Sequence, residues 1–421
     1  LVKAAVLAYR HAWWNRLAEV LCLFQLICQQ SGYRHVTSIP LHTEVLDNLA
    51  TDDLDTRARV LASLAKAYRT AAQPEVAAST FRQAVALARQ CGDPDVLLDC
   101  LRKGNWTIGR DPRRIAQGLE VAHEALALAV ARNNVAATLD SIVDVIFQLC
   151  DLGQIDEMER QLANLKELAR SERQPHFRNL LTGFETALAI LRGQWGRALQ
   201  RAQKGVRSLP RQGVRGLQGR FAFQIFAINK AQGTLGQLRN VADRIISTSD
   251  ESDLWVPGQV LLYCELGEQA RAQNALARLG DLRRLPDDDL LEIALVYLSE
   301  SCLILGDRPR VRQLFEYLQD YRGLNVTLPG TFMLGAVSGY LAELAAALGH
   351  PKQARKFFEE AIEMNSDMRA APALARTRVE FARWLMAKGT VKERKRANEL
   401  VAQTLAPARE MKLAPVLHAI G

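Results

Sequence analysis

Glycines recur from residue 153 onward in this chain at an almost constant spacing. The recurring positions are Gly153, Gly193, Gly233, Gly267, Gly306, Gly349 and Gly389. Most of them follow an apolar stretch and precede one that is rich in Ala or Leu. Glycine accepts the left-handed backbone geometry that ends one helix and lets the next helix fold back against it. A period of about 40 residues therefore predicts a stack of helical hairpins.

The segments between these turns split into two stretches with apolar residues at helical spacing. The clearest pair spans residues 60–68 and 76–87, and Pro74 lies at the start of its second helix, where the missing N–H costs nothing. This pair resembles a tetratricopeptide unit, because bulky and small residues occupy that repeat's positions in register. These residues are Leu61, Leu64, Ala65, Tyr68, Ala77, Phe81 and Ala84. Ala354, Phe358 and Ala361 repeat the scheme later in the chain.

Signals for β-strands are nearly absent, since no sustained alternation and no Asn-Gly or Asp-Gly turn between β-branched runs occurs. The sequence therefore predicts an all-α fold, a right-handed superhelical solenoid of tetratricopeptide-like helical hairpins. We expect residues 1–45 to form an N-terminal helical connector. We expect residues 46–421 to form the solenoid, with about nine hairpins.

Composition excludes several classes of protein. The seven cysteines are scattered and odd in number, and no C-x-x-C pair occurs, which argues against a disulfide framework or a zinc site. The longest apolar run near the N-terminus, residues 21–28, is too short to span a bilayer. No signal peptide is recognisable, and the chain begins with Leu1. These features predict a cytoplasmic protein with reduced thiols, cut from a longer polypeptide, and no membrane partner.

From about residue 90 onward the chain resembles the C-terminal helical-repeat regions of large bacterial signalling ATPases. These include MalT-like LuxR-type regulators and relatives that carry a cyclase, kinase or transcriptional-activator domain. The resemblance is carried by residues 218–233, 255–267, 285–307, 334–350, 372–377, 387–389 and 408–411.

In that family an ATPase module precedes the repeats, which act as a sensor or as a platform for partners. The resemblance therefore implies an upstream ATPase or effector domain in the same polypeptide. The chain itself contains no G-x-x-x-x-G-K-[ST] phosphate loop, and too few residues follow Gly389 for a recognisable helix-turn-helix. Neither activity can be transferred to it.

The concave surface of a tetratricopeptide array is lined by the first helix of each hairpin, and it holds peptides or helices. Transferring the inward offsets of that repeat predicts a groove that binds a protein or peptide partner. The predicted groove residues are Lys66, Arg69, Asp140, Phe147, Arg220, Phe223, Lys230, Glu300 and Glu343.

A second candidate surface is basic. No acidic residue occurs between Glu185 and Asp243, in a chain of net charge +8. The predicted basic patch comprises Arg197, Arg201, Lys204, Arg207, Arg211 and Arg215. It could dock an acidic partner, a nucleotide or nucleic acid, or it could be a solvated face. Part of the segment from Lys204 to Arg220 is expected to be a long loop, because it contains four glycines and a proline.

No catalytic constellation is recognisable. The histidines form no H-E-x-x-H or other compact ligand pattern, and no G-x-S-x-G elbow occurs. The sequence thus predicts no enzyme, no metal site and no cofactor. The predicted function is that of a non-catalytic sensor or scaffold domain in a cytoplasmic bacterial signalling or transcriptional regulator. Two alternatives stay open: a constitutive adaptor, and a repeat array that binds nucleic acid through its basic face.

Overall fold

The computed structural model describes residues 2–31, 38–109, 111–171, 175–208, 215–240, 256–285, 290–328 and 330–420. The chain divides into two compact units. The first unit comprises residues 1–149 and 158–171, and the second comprises residues 150–157 and 172–421. The predicted boundary near residue 45 stays a prediction.

Antiparallel helices form nearly all of the described structure. Up to residue 171 the helices are α1 (Val2–Arg10), α2 (Trp14–Ser31), α3 (Ile39–Asn48), α4 (Leu54–Thr70), α5 (Pro74–Cys91), α6 (Pro94–Arg102), α7 (Gly104–Thr107), α8 (Ile115–Ala131), α9 (Val135–Asp151) and α10 (Ile155–Ser171). After it they are α11 (Pro175–Leu191), α12 (Trp195–Ser208), α13 (Arg215–Gln232), α14 (Val256–Glu265), α15 (Gln269–Leu279), α16 (Leu291–Leu305), α17 (Arg308–Leu318), α18 (Val337–Leu348), α19 (Pro351–Asp367), α20 (Ala371–Lys388), α21 (Val391–Glu410) and α22 (Ala414–Ile420). Short 3₁₀ helices lie at Leu235–Leu238, Leu282–Arg284 and Gln319–Tyr321. The prediction of an all-α helical-hairpin fold is confirmed.

The turns between helices follow the predicted rule. All seven of the recurring glycines have positive φ, between +69° at Gly153 and +81° at Gly349. The same left-handed geometry occurs at Ala72, where φ is +56° between α4 and α5. The turn is therefore set by the hairpin geometry, and glycine is the residue that adopts it without steric cost.

Small and large apolar residues alternate in the core of the first unit, as the tetratricopeptide resemblance implies. Ala58, Ala62 and Ala84 are fully buried where α4 approaches its neighbours. Phe81 and Leu101 fill a second cluster that includes residues of α8 and α9. Because alanine allows two backbones to approach, these positions determine which helix faces pack together.

A buried β-hairpin in the second unit departs from the sequence prediction. Strands β1 (Asn325–Leu328) and β2 (Phe332–Ala336) pair antiparallel, with Leu328 opposite Phe332 and a bulge between Asn325 and Thr327. Nearly all of its described residues are buried and pack against α11, α16, α19 and α20. The hairpin is held by the Asn325 side chain, which donates from Nδ2 to the Cys150 carbonyl at 3.0 Å.

The last helices of the second unit contact its first helices. The indole Nε1 of Trp195, at the start of α12, donates to the Met411 carbonyl after α21 at 2.7 Å. Pro415 and Ala414 pack beside Gly233, and Arg369 forms an ion pair with Asp156. The second unit is thus closed by contacts between its first helices and its last ones, rather than extended from end to end.

Candidate ligand site

A cavity of about 720 Å³ lies inside the second unit. Most of its lining residues lie on α11, α13, α14, α16, α18, α20 and α22, and the others include Trp195 of α12, Met333 and Leu334 of β2 and Phe358 of α19. The first six of these helices are each the first helix of a hairpin, which is the surface that a tetratricopeptide-type array turns inward. The volume falls within the range of about 300–1,000 Å³ that is typical of small-molecule sites.

One part of the cavity wall is apolar and aromatic. Trp195, Trp384 and Phe358 line it together with aliphatic side chains such as Leu303 and Val416. The ring centroids of Phe358 and Trp384 lie 6.2 Å apart, and both pack on Phe381. This wall can accept an apolar ligand body, while rigid packing behind it holds its shape.

The remaining wall carries a network of alternating charges. Lys230 Nζ lies 2.7 Å from Glu300 Oε2, and Arg376 Nη2 lies 2.8 Å from Glu343 Oε1 and 3.7 Å from Glu300 Oε1. The Arg376 guanidinium also stacks 4.6 Å above the centre of the Tyr340 ring. The network links α13, α16, α18 and α20, so it connects four helices across the cavity wall.

Burial and these ion pairs shift the pKa values of Glu300 and Glu343 in opposite directions. Burial alone would raise the pKa of Glu300, but the charges of Lys230 and Arg376 outweigh it and hold that pKa below its ordinary value. Burial raises the pKa of Glu343 to about 7, although Arg376 opposes the shift. Glu300 is therefore a fixed anion, whereas Glu343 titrates near neutral pH.

Tyr297 and Glu300 each carry a polar atom at the cavity that makes no hydrogen bond to the described residues. Tyr297 lines the cavity and is 2% exposed, and its hydroxyl makes no hydrogen bond there. The Oε1 atom of Glu300 likewise accepts no hydrogen bond. A buried polar atom without a partner costs free energy unless a ligand or water satisfies it. These two atoms therefore have hydrogen-bonding capacity that the described residues leave unused.

The structure brings three of the nine predicted groove residues together, namely Lys230, Glu300 and Glu343. Phe223 instead contacts the β-hairpin, with its ring centroid 6.5 Å from that of Phe332. Arg220 lies half-buried on the same helix, α13. The partner-binding role of all five stays a prediction.

The other four predicted groove residues belong to the first unit. Lys66 and Phe147 are buried, Arg69 is half-buried, and Asp140 forms an ion pair with Arg102. None of the four is among the residues that line the cavity. Their role as a groove is likewise untested.

Sequence reasoning missed several residues of the cavity, above all Arg376, Glu265, Tyr297 and Tyr340. One signal could have found the site. Helices α16 and α18 are mostly apolar, yet a glutamate lies in the interior of each, at Glu300 and Glu343, beyond the first-turn Glu292 of α16. A charged residue inside a buried helix needs a partner from another helix.

The basic patch is only partly described. Arg197 and Lys204 are exposed, and Arg201 Nε lies 3.2 Å from Glu185 Oε2. Arg211 lies outside the described residues, as do the side chains of Arg207 and Arg215. Helices α12 and α13 include residues 204–208 and 215–220, so these parts of the predicted loop are helical.

Among the helices that the structure describes, none is long and apolar enough to cross a membrane. Among the described residues, no group of three or more His, Cys, Asp or Glu side chains could hold a metal ion.

Comparison with known proteins identifies one repeat. Residues 341–368 match the family model described as "Tetratricopeptide repeat", which corresponds to α18, the turn at Gly349 and α19. No protein of curated function matches the chain. The match supports a tetratricopeptide-like repeat region and covers Ala354, Phe358 and Ala361, where the scheme of residues 60–87 is predicted to recur. Tetratricopeptide repeats typically serve as scaffolds for protein interactions.

Two solved structures are similar over most of the chain. One is the crystal structure of the APC/C hetero-tetramer Cut9–Hcn1, at 11% identity and a TM-score of 0.43, with 99% of this chain and 88% of that chain covered. The other is a circular tandem repeat protein with novel repeat topology, at 14% identity and a TM-score of 0.21, with 97% and 95% covered. Neither likeness bears on what this chain binds.

Proposed function

We propose that this chain is a non-catalytic binding module whose ligand enters the cavity of the second unit. The observation that carries the proposal is the combination of an aromatic wall with a charged network in which buried polar atoms lack partners. Convergent polar groups on an otherwise apolar cavity are typical of ligand sites. Nothing at this site supplies a nucleophile with an adjacent base, so its chemistry is recognition.

The biological setting we propose is the sensor region of a cytoplasmic bacterial signalling regulator. The support is the resemblance to repeat regions that follow signalling ATPases. In this setting a ligand or peptide partner that binds one arrangement of the repeats more tightly shifts the population toward it and alters an upstream effector. Lys230, Glu300 and Glu343 are the predicted groove residues that take part.

The proposal is tested by filling the cavity. Ala346 and Ala231 line it, and tryptophan at either position should occupy the space that a ligand needs. Ala277 is exposed on α15 and does not line the cavity, so Ala277→Trp is the matched control. Three probes share one apolar body and differ in charge: 4-phenylbutylamine, 4-phenylbutanol and 4-phenylbutyrate.

Binding of the probes to the full chain is measured by ligand-observed NMR and calorimetry, with circular dichroism to verify folding. We expect at least one probe to bind the wild type and Ala277→Trp. Binding should weaken at least tenfold in Ala346→Trp and Ala231→Trp. If no probe binds, or if both cavity-filling variants fold and bind as the wild type does, the cavity is not a ligand site.

The basic patch is a separate proposal, supported by the exposed Arg197 and Lys204. Replacing Arg207, Arg211 and Arg215 with Glu should abolish binding to an acidic probe such as polyglutamate. Unchanged affinity at low salt would contradict a docking role for this surface.

A further inference from the structure

Each cationic side chain that lines the cavity already has a carboxylate partner. Lys230 pairs with Glu300, Arg376 pairs with Glu343, and Arg383 Nη1 lies 3.2 Å from Glu380 Oε2. All six residues line the cavity. Each positive charge of the wall therefore already has a carboxyl contact within the described protein.

One carboxylate of the same wall remains without a cation of its own. Glu265 is the last residue of α14 and lines the cavity. No hydrogen bond or ion pair involves its side chain in the described part of the chain. Partial burial raises the pKa of Glu265 above its ordinary value, the charges of Lys230 and Arg376 lower it and that of Glu300 raises it, but none of these three side chains contacts it. Its side chain is exposed, so a ligand could reach it.

The unused hydrogen-bonding capacity at the cavity favours a ligand that donates hydrogen bonds. The Oε1 atom of Glu300, which accepts no hydrogen bond from the described residues, and both oxygens of Glu265 can only accept hydrogen bonds while ionised. The Tyr297 hydroxyl can accept one as well as donate one. A ligand rich in donors satisfies these atoms, whereas a carboxylate or phosphate would meet acceptors and paired cations.

We propose that the cavity recognises an organic amine. Its protonated amino group would lie against Glu265 and its apolar body against the wall that contains Trp195 and Trp384. This inference rests on the proposed function, and it assigns the ligand's chemical class. The amine could belong to a free small molecule or to a lysine side chain of a partner, because both present the same ammonium group.

The three probes defined above test the inference, because they share a body and differ only in the head group. The amine should bind the full chain more tightly than the alcohol, and the alcohol more tightly than the carboxylate. Glu265→Gln should weaken amine binding about tenfold, which corresponds to about 1.4 kcal/mol, and leave alcohol binding unchanged. Glu359→Gln removes an exposed carboxylate that does not line the cavity, so it should leave all three affinities unchanged.

Thermal melting separates recognition from a structural role. Since Glu265 makes no hydrogen bond to the protein, Glu265→Gln should leave the melting temperature of the unliganded chain unchanged. A fourth probe, N-acetyl-Phe-Lys-amide, distinguishes the two sources. Tighter binding of this peptide than of 4-phenylbutylamine assigns the amine to a partner's lysine, and the reverse assigns it to a free amine.

The outcomes distinguish this inference from the proposed function. Equal affinity for amine and alcohol, or amine binding that survives Glu265→Gln, would overturn the assignment to amines. The cavity would still be a ligand site if Ala346→Trp removed that binding. Failure of all probes to bind would overturn both.

Discussion

A single methyl group placed on α11 should disturb the packing of the β-hairpin against that helix. Gly183 lies in the middle of α11, and a Cβ atom there would be 2.3 Å from the carbonyl oxygen of Gly330 in the turn of the β-hairpin. Ordinary contact for a Cβ atom begins near 3.4 Å. The helix backbone fixes the position of this Cβ atom, and the oxygen belongs to the backbone of the turn. No side-chain rotation can therefore relieve the contact, and the hairpin or the helix must move by about 1 Å.

This displacement determines how much Gly183→Ala lowers the free energy of unfolding. Overpacking of a well-packed interior costs about 1–3 kcal/mol. Movement of the turn also strains the hydrogen bond from Gln224 Nε2 to the Thr331 carbonyl, which is 2.7 Å long and worth about 1 kcal/mol. The higher helix propensity of alanine offsets about 1 kcal/mol of this loss in stability. Gly183→Ala should therefore lower the free energy of unfolding by about 2 kcal/mol.

The matched control is Gly196→Ala in α12, where nothing lies within 4 Å of the added Cβ. That variant gains helix propensity without a clash and should be neutral or stabilising by up to about 1 kcal/mol. Urea titrations followed by circular dichroism, together with calorimetric scans that resolve separate transitions, measure both variants. If Gly183→Ala proves as stable as Gly196→Ala, the hairpin does not pack against α11 as described.

Three further predictions concern the charged network and one turn. Lys230→Met should destabilise the second unit by about 3 kcal/mol because Glu300 loses its closest cation, and Lys230→Met/Glu300→Leu should recover most of the loss in a urea double-mutant cycle. The raised pKa of Glu343, about 7 against an ordinary 4.5, contributes stability that is present in full below pH 4.5 and lost as the pH rises through 7. Between pH 5 and 8 the wild type should lose about 2 kcal/mol more than Glu343→Gln, measured by urea midpoints; equal losses would mean that Arg376 keeps this carboxyl ionised. Ala72→Gly should stabilise the first unit by up to about 1 kcal/mol in thermal melts, since it removes a left-handed alanine, and a lower melting temperature would show that the turn is not strained.

The helices and their turns were predictable because the signals for them are local. Apolar spacing, Pro74 at a helix start and the recurring glycines each act within a few residues. The β-hairpin was missed although residues 325–333 contain β-branched residues on both sides of Pro329-Gly330, which is a turn signal. Its strands are short and lie in the interior, so burial by surrounding helices, rather than propensity, stabilises them.

The closure of the second unit was not predictable, because it depends on residues far apart in sequence. Trp195 and Met411 are 216 positions apart, and nothing near either residue indicates the other. The candidate site was only partly predictable, because its residues too are far apart in sequence. Glu300 and Glu343 could be placed on inward helix faces from the repeat, but the pairing of Arg376 with both requires the curvature of the array, which spacing does not reveal.

The central claim is that the second unit closes around a cavity that binds a ligand. A crystal structure of the full chain grown with 4-phenylbutylamine tests it most directly. We predict density for the amine beside Glu265, with the Trp195 indole donating to the Met411 carbonyl. An open array in which Trp195 and Met411 lie apart, or a closed one whose cavity holds no amine, would contradict the account.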